Sequence, residues 1–199
     1  MIINGAILSI MKRKLLFIVG LCTVVFGGGG LYWYTRQKSV TSHGTVIKPF
    51  EYARDAQFVH SIFERDRYWL VSNRMTDFNI DYNLRTRAPH KYEEPGTLEI
   101  EILFEDNVPA GFIAYYPLSF YEWKILFLWI DEKYRGRGLG KKLILHVIDK
   151  LKKQGVLKIV LAARVNNTRA RQLYTSIGFV EVSEYDGFID LVLLFTPGN

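Results

Sequence analysis

The chain contains 199 residues, 49% of them hydrophobic and 15% aromatic, and its formal net charge is +6. This length accommodates one well-buried domain with an appendage but not two domains of ordinary size, and so apolar a composition excludes intrinsic disorder. Five of the 26 cations and none of the 20 acids precede residue 44. The remainder is nearly neutral, so we predict that nucleic acid is not a partner.

Cysteine and histidine show no metal-binding pattern. Cys22 is the only cysteine in the sequence, which excludes an intramolecular disulfide and any site built from several cysteines. The four histidines share no helical spacing and no H-E-x-x-H pattern. We therefore predict that the protein holds no metal.

The first hydrophobic segment covers residues 15–34, which carry no charge over about the twenty positions that a helix needs to span a bilayer. Basic residues precede the segment and the aromatic residues 32–34 close it, as is typical of interfacial anchors. An alternative interpretation begins at Met11 and treats the segment as a cleaved signal peptide. The predicted organisation is a basic flank at 1–14, a transmembrane helix or uncleaved signal anchor at 15–34, a linker at 35–44 and one domain at 45–199.

The first half of the domain reads as a strand at 45–49, a helix at 53–64 and one irregular helix over 67–85. Apolar and acidic residues then alternate over 97–104, and turn residues separate them from a second apolar run at 110–116. This pattern predicts an antiparallel hairpin.

The second half begins with the almost wholly apolar run 124–130, which is typical of a central strand covered on both faces. Residues 139–151 place their aliphatic side chains on one helical stripe. A strand at 157–163 and a helix at 168–177 follow, and then two strands, at 179–183 and 189–195, flank an Asp186-Gly187 turn. The order βααβββαβαββ predicts a single α/β domain whose mixed, largely antiparallel sheet is flanked by helices.

Residues 131–142 (DEKYRGRGLGKK) join the buried strand to the amphipathic helix. Glycine lets backbone N–H groups approach a ligand closely, and the start of a helix adds unpaired donors and the positive end of its dipole. The spacing does not fit a Walker loop or a dinucleotide fingerprint. It fits R-x-x-G-x-G, made by Arg135, Gly138 and Gly140, and predicts a phosphate-binding turn.

In this strand–turn–helix setting the pattern resembles the pyrophosphate-binding turn of the GNAT acetyltransferases. Residues 164–179 (RVNNTRARQLYTSIGF) are similar to the C-terminal signature of the same family, N-x-x-A-x-x-L-Y-x-x-x-G-F. The resemblance covers about residues 46–195. It implies an N-acetyltransferase that uses acetyl-CoA as its donor.

The resemblance also implies which residues hold the donor, with strand backbone on the pantetheine arm and residues 136–141 on the diphosphate. Trp129 fits a core position equally well, and Asn167 fits the N-cap of a helix. The cofactor-binding residues carried over are Leu128, Trp129, Ile130, Arg135, Gly136, Arg137, Gly138, Leu139, Gly140, Lys141 and Asn167.

For the chemistry, the resemblance implies direct attack of an amine on the thioester in a ternary complex, with Tyr174 protonating the departing thiolate. A merely core aromatic is the alternative for Tyr174. In the ribosomal-protein N-terminal acetyltransferases, which the second motif resembles most, a glutamate stands where this chain has Ala162. Glu122 or a chain of waters is the candidate substitute, and the aromatic residues between 115 and 123 either line an acceptor groove or pack in the core.

The sequence leaves the acceptor open among protein N-termini, lysines and small-molecule amines. Ala162 also leaves open a noncatalytic acyl-CoA-binding, membrane-anchored module. Because acetyl-CoA is a cytosolic metabolite, catalysis implies a single-pass membrane protein with a cytoplasmic domain, although the basic residues on both sides of 15–34 do not fix the orientation.

Overall fold

One mixed sheet lies between two layers of helices in the computed structural model, which describes residues 44–72 and 78–196. The predicted segments 1–14 and 15–34 lie outside these residues, as does the linker except for Gly44. The described residues confirm the element order βααβββαβαββ. The elements are β1 Thr45–Pro49, α1 Tyr52–Leu70, α2 Ile80–Thr86, β2 Glu99–Glu105, β3 Val108–Pro117, β4 Glu122–Ile130, a 3-10 turn Glu132–Tyr134, α3 Leu139–Lys153, β5 Lys158–Arg164, α4 Thr168–Thr175, β6 Val180–Tyr185 and β7 Phe188–Leu194.

The strand order is β1-β2-β3-β4-β5-β7-β6, and every neighbouring pair is antiparallel except β4 and β5, which are parallel. The prediction of a mixed, largely antiparallel sheet is therefore confirmed. Helices α1 and α2 cover an aromatic-rich face that includes Phe63, Phe112 and Phe127. Helices α3 and α4 cover the opposite face, where aliphatic side chains predominate.

Two tight hairpin turns set the strand register. Asp106 and Asn107 have φ of 49° and 65°, and Asp186 and Gly187 have φ of 49° and 76°. Two consecutive positive φ values are typical of the type I′ turn, whose twist matches that of the flanking strands. These are the turn residues that the sequence predicted.

The predicted boundaries of the first two helices are wrong. Helix α1 continues to Leu70 with a kink at Asp66 (φ −115°, ψ 19°), and α2 begins only at Ile80. Contacts distant in sequence explain the extension, because Asp66 Oδ2 accepts a 3.0 Å hydrogen bond from Trp129 Nε1 and Arg164 donates to the carbonyls at the end of α1. Sequence periodicity carries no information about such partners.

No helix within 44–72 and 78–196 has both the length and the apolar character needed to cross a membrane.

Candidate active site

Strands β4 and β5 are paired over only part of their length. Their register runs from Glu122 opposite Lys158 to Ile125 opposite Leu161, although β4 continues to Ile130 and β5 to Arg164. Beyond Ile125 the sheet therefore opens along its interior. Backbone N–H and C=O groups on an open strand edge are free to pair with an extended ligand.

A β-bulge in β4 coincides with this opening. Ala114 of β3 lies opposite Phe127 and the next residue, Tyr115, lies opposite Ile125, so Leu126 is the extra residue of β4. A bulge bends a strand and increases its twist. The bulge thus lies where β4 separates from β5, and residues 126–130 form the open edge that leads toward the glycine turn.

The glycine turn presents a row of backbone donors. Gly136 and Gly138 have φ of 82° and 76°, a left-handed conformation that favours glycine. The first bond into α3 runs from Lys142 N to Gly138 O at 3.0 Å. Within the described chain, the N–H groups of residues 136–141 have no hydrogen-bond acceptor. Such a row at the start of a helix is an anion-binding arrangement.

The charges at this end of α3 also favour an anion. Lys141 and Lys142 lie in the first turn, which contains no acid. Cations there oppose the helix dipole by about 0.3–1 kcal/mol each. A bound diphosphate would reverse that cost, since it meets both the lysines and the unpaired amides.

Arginines surround the turn in different roles. Arg135 Nε donates to the carbonyl of Ile130 at 2.8 Å and so fixes the turn to the end of β4. The guanidinium of Arg137 lies 5.5 Å from the ring centre of Tyr134. Arg169, which the sequence analysis did not single out, brings Nη2 within 3.9 Å of the point where a Cβ on Gly136 would stand.

Helix α4 packs against the turn and brings the two sequence motifs together. A Cβ on Gly140 would contact Leu173 at 3.5 Å and Ile130 at 3.6 Å. Asn167 is the N-cap of α4, and its Oδ1 accepts from Ala170 N at 3.2 Å. The end of β4, the turn and α4 are thus contiguous, as a shared cofactor site requires.

Tyr174 projects from α4 into the core, where its side chain is only 7% exposed and packs on Phe179 with 5.8 Å between ring centres. Burial raises the pKa of Tyr174. Its hydroxyl has no hydrogen-bond partner among the residues that the structure describes. A protonated, uncommitted phenol is the state that a proton donor needs.

The remaining predicted residues lie on opposite faces of the sheet or at different ends of β4. Leu128 and Ile130 pack toward α3 and α4, while Trp129 is buried against α1, but all three lie on the open part of β4. Glu122 lies at the paired end of the strand, with Oε1 3.0 Å from Lys158 Nζ. Leu126 lies four positions further along the strand, or about 13 Å away, so the structure does not bring Glu122 to the opening.

The aromatic cluster near the hairpin divides between core and surface. Tyr115 and Tyr116 are buried, whereas Phe120 is 81% exposed in the loop before β4. That loop adjoins the paired end of β4, away from the glycine turn.

The face of the sheet nearest the end of α1 carries residues that the sequence analysis missed. Arg164 lies between two rings, 3.9 Å from the centre of Tyr68 and 4.7 Å from that of Phe188. Asp190 of β7 lies directly opposite Ala162 of β5. A single acid within the apolar strand FIDLVLL was the available signal for Asp190.

No group of three histidine, cysteine, aspartate or glutamate side chains within the described ranges is arranged to hold a metal ion.

Comparison with known proteins gives one family and several relatives. Residues 56–179 match the model of the acetyltransferase (GNAT) family. The ribosomal protein bS18-alanine N-acetyltransferase of Escherichia coli (strain K12) is 36% identical over 75 residues, which are 34% of this chain and 51% of that protein. The chain thus spans about half the length of the curated relatives that it matches.

Two solved structures share the fold. The PaiA N-acetyltransferase of Thermoplasma acidophilum in complex with coenzyme A has a TM-score of 0.60 at 16% identity, over 76% of this chain and 99% of that one. The ribosomal-protein-S18-alanine N-acetyltransferase of Escherichia coli has a TM-score of 0.58 at 20% identity, over 78% and 96% respectively. At such identities the likeness concerns the fold alone.

Proposed function

The chain belongs to the GNAT acetyltransferase family, and from that premise we propose that it transfers an acetyl group from acetyl-CoA to a primary amine. The observation that carries the proposal is the row of unpartnered amides at 136–141 beside the open edge of β4. Coenzyme A combines a diphosphate with an extended arm that contains two amides. The amides of the turn can bind the diphosphate, and the free edge of β4 can form hydrogen bonds with the amides of the arm.

The placement of these groups supports the following mechanism. The open edge of β4 beyond Leu126 offers backbone N–H groups that orient and polarise the thioester carbonyl. An acceptor amine attacks that carbon directly, because the two substrates are held in one opening of the sheet. Tyr174 donates its hydroxyl proton to the departing thiolate, and solvent restores the phenol.

The acceptor that we propose to test first is the free N-terminus of a protein. A curated relative acts on the alanine of ribosomal protein bS18, which supports an alanine α-amine as the starting probe. The alternative is a noncatalytic acyl-CoA-binding module, which is favoured only by the methyl group of Ala162 where the resemblance leads us to expect a glutamate.

Thiol release tests the proposed activity. Full-length protein purified in mild detergent would receive acetyl-CoA and a short peptide with a free N-terminal alanine, Nα-acetyl-lysine methylamide or a small diamine. We expect free thiol to appear with at least one of these amines and not with the same peptide acetylated at its N-terminus. Coenzyme A binding without thiol release from any acceptor would favour the noncatalytic module instead.

We further propose that residues 15–34 anchor the protein as a single transmembrane pass with the acetyltransferase domain in the cytoplasm. The uncharged length of the segment and the cytosolic location of acetyl-CoA support this topology. The protein should stay in the membrane pellet after alkaline carbonate extraction, and a C-terminal tag should resist protease in intact cells. Release by carbonate, or cleavage of the tag from outside, would contradict the proposal.

A further inference from the structure

We propose that Asp190 accepts the proton of the attacking amine and that the face around it is the acceptor site. The inference rests on the proposed acetyltransferase activity. It names the general base of that reaction, a role that the methyl group of Ala162 cannot fill. Asp190 lies on β7, outside both sequence motifs.

The register places Asp190 at the level where the sheet opens. Leu161 is the last residue of β5 that pairs with β4, and the next residue, Ala162, lies opposite Asp190. Directly opposed residues of an antiparallel pair project from the same face, with Cβ atoms about 4.5–5.5 Å apart. Ala162 is exposed and carries only a methyl group, so its side chain leaves Asp190 accessible from the opening.

Asp190 projects from the face of the sheet that α1 covers. Ile189 and Leu191, on either side of Asp190, are buried in the core beneath α3 and α4. Because side chains alternate along a strand, Asp190 projects from the opposite face. Arg164 lies on that same face of β5, where it donates to the carbonyls of Tyr68 and Val71 at the end of α1.

Two hydrogen bonds orient the carboxylate of Asp190 without supplying a positive charge. Ser183 Oγ donates to it at 3.0 Å and the Tyr185 hydroxyl at 3.2 Å. A carboxylate has about four acceptor positions, so room for a further donor remains. Within the described chain no lysine or arginine forms an ion pair with Asp190, whereas Glu122 is paired with Lys158.

Another carboxylate near the open edge, that of Asp66, already has a cationic partner. Asp66 accepts from the indole of Trp129 at 3.0 Å and pairs with Arg65 at 3.1 Å. Asp190 differs from Asp66 in that no cation among the described residues forms an ion pair with it, so its charge is available to an incoming cationic group.

Aromatic side chains from the end of α1 and from the β6–β7 hairpin lie on this face, where Tyr68 contacts Arg164 and Tyr185 contacts Asp190. Tyr68 and Trp69 at the end of α1 are 53% and 46% exposed, and Tyr185 stacks on Phe188 in the β6–β7 hairpin with 6.5 Å between ring centres. Arg164 already lies against the rings of Tyr68 and Phe188, so the carboxylate of Asp190 is the group that favours a positively charged ligand. The substrate class is therefore an amine that arrives as a cation, such as a peptide N-terminus or a lysine side chain, and not an acidic acceptor.

The proposed step balances as follows. The bound ammonium first loses one proton to water. Its neutral form attacks the thioester carbon, a C–N bond forms, and the nitrogen becomes positively charged and strongly acidic. Asp190 takes one proton from that nitrogen, the C–S bond breaks, and Tyr174 protonates the leaving thiolate. Asp190 then returns its proton to water, water reprotonates the Tyr174 phenolate, and the products are the amide and free coenzyme A.

Steady-state kinetics of Asp190→Asn test the assignment, with full-length protein, acetyl-CoA and the two amine probes named above, the alanine peptide and the lysine analogue. We expect kcat to fall about 100-fold, the lower end of general acid–base effects, while acetyl-CoA affinity and melting temperature stay unchanged. Glu184→Gln is the matched control, because Glu184 is exposed on the same hairpin beside Tyr185. Its kcat should remain within about twofold of wild type.

A carboxylate moved across the strand pair sharpens the test. The double variant Ala162→Glu, Asp190→Asn should recover at least tenfold over Asp190→Asn, because the new acid stands opposite the lost one. A kcat of Asp190→Asn within threefold of wild type, or a double variant no better than the single one, would overturn the assignment while leaving the acetyltransferase proposal intact. Absence of thiol release by the wild-type protein would overturn both.

Discussion

The polar groups at the two ends of α3 differ in their hydrogen bonding. Toward its C-terminal end, Lys150 Nζ donates to Glu99 at 2.6 Å, to Glu101 at 2.9 Å and to the Tyr115 hydroxyl at 2.8 Å, and His146 Nε2 lies 2.8 Å from Glu101. At its N-terminal end, the amides of 136–141 have no acceptor within the described chain. One helix thus has polar groups that pair with one another at its C-terminal end and unpaired amides at its N-terminal end. Within the paired cluster, Glu101 Oε2 forms no hydrogen bond with a described residue and has His146 Nε2 at ion-pair distance.

This difference separates stability from function. Buried polar groups are normally hydrogen-bonded, and the hydrogen bonds of Lys150 to Glu99, Glu101 and Tyr115 connect the helix to the sheet. Donors left unpaired at a glycine turn contribute nothing to folding until a ligand arrives. Substitutions at the N-terminal end of α3 should therefore alter binding and turnover, and those at the C-terminal end should alter the free energy of unfolding.

The largest effect is expected from Gly138→Glu. The residue has φ of 76°, which costs a non-glycine residue about 1–2 kcal/mol, and the added carboxylate repels a diphosphate. Coenzyme A affinity should fall about 1,000-fold by calorimetry. Gly155→Glu is the matched control, because it has φ of 82° and equally open surroundings at the other end of α3. Equal affinities for the two variants would remove the turn from the binding site.

Tyr174→Phe should lower kcat about 100-fold with coenzyme A affinity unchanged. A thiolate is already a fair leaving group, so the loss should lie at the lower end of the general-acid range. The exposed Tyr121 provides the control Tyr121→Phe. A Tyr174→Phe enzyme with wild-type turnover would make this residue a core aromatic only.

Lys150→Met tests the polar cluster toward the C-terminal end of α3. It leaves the carboxylate of Glu101, which is 7% exposed, without its cation, so the free energy of unfolding should fall by about 2 kcal/mol. This is less than the about 3–5 kcal/mol of a fully buried pair, because the lysine is partly solvated. Urea unfolding measures the loss, and the exposed Lys153→Met should stay within about 0.5 kcal/mol. Weaker coenzyme A binding in Lys150→Met would break the separation of the two ends.

The smallest effect concerns acid stability. Burial raises the pKa of Glu101, but hydrogen bonds from Lys150 and Tyr115 outweigh it and hold the pKa below its usual value of 4.5. A depressed pKa in the folded state stabilises the protein above pH 4.5, and that stability is lost as the pH falls below it. Glu101→Gln should therefore flatten the decline of unfolding free energy below pH 4.5. The lowered pKa values of Asp81 and Glu181 preserve part of the decline in both proteins, and curves of identical slope would refute the contribution of Glu101.

Local patterns were sufficient for most of the fold. The alternation before Asp106, the Asp186-Gly187 turn and the glycines of the phosphate turn each determine backbone geometry within a few residues, so the sequence predicted them. The extension of α1 past Asp66 and the placement of Asp190 opposite Ala162 depend on partners distant in sequence. The sequence suggested Glu122 because it precedes the central strand. In the structure Glu122 lies at the paired end of β4, and the opening begins beyond Ile125.

The most direct test of the central claim compares coenzyme A with pantetheine, which lacks the diphosphate, by calorimetry on the full-length protein. If the amides of 136–141 hold the diphosphate, coenzyme A should bind at least 100-fold more tightly, and the difference should disappear in Gly138→Glu. Equal affinities of the wild-type protein for the two ligands, or no affinity for coenzyme A, would contradict the account.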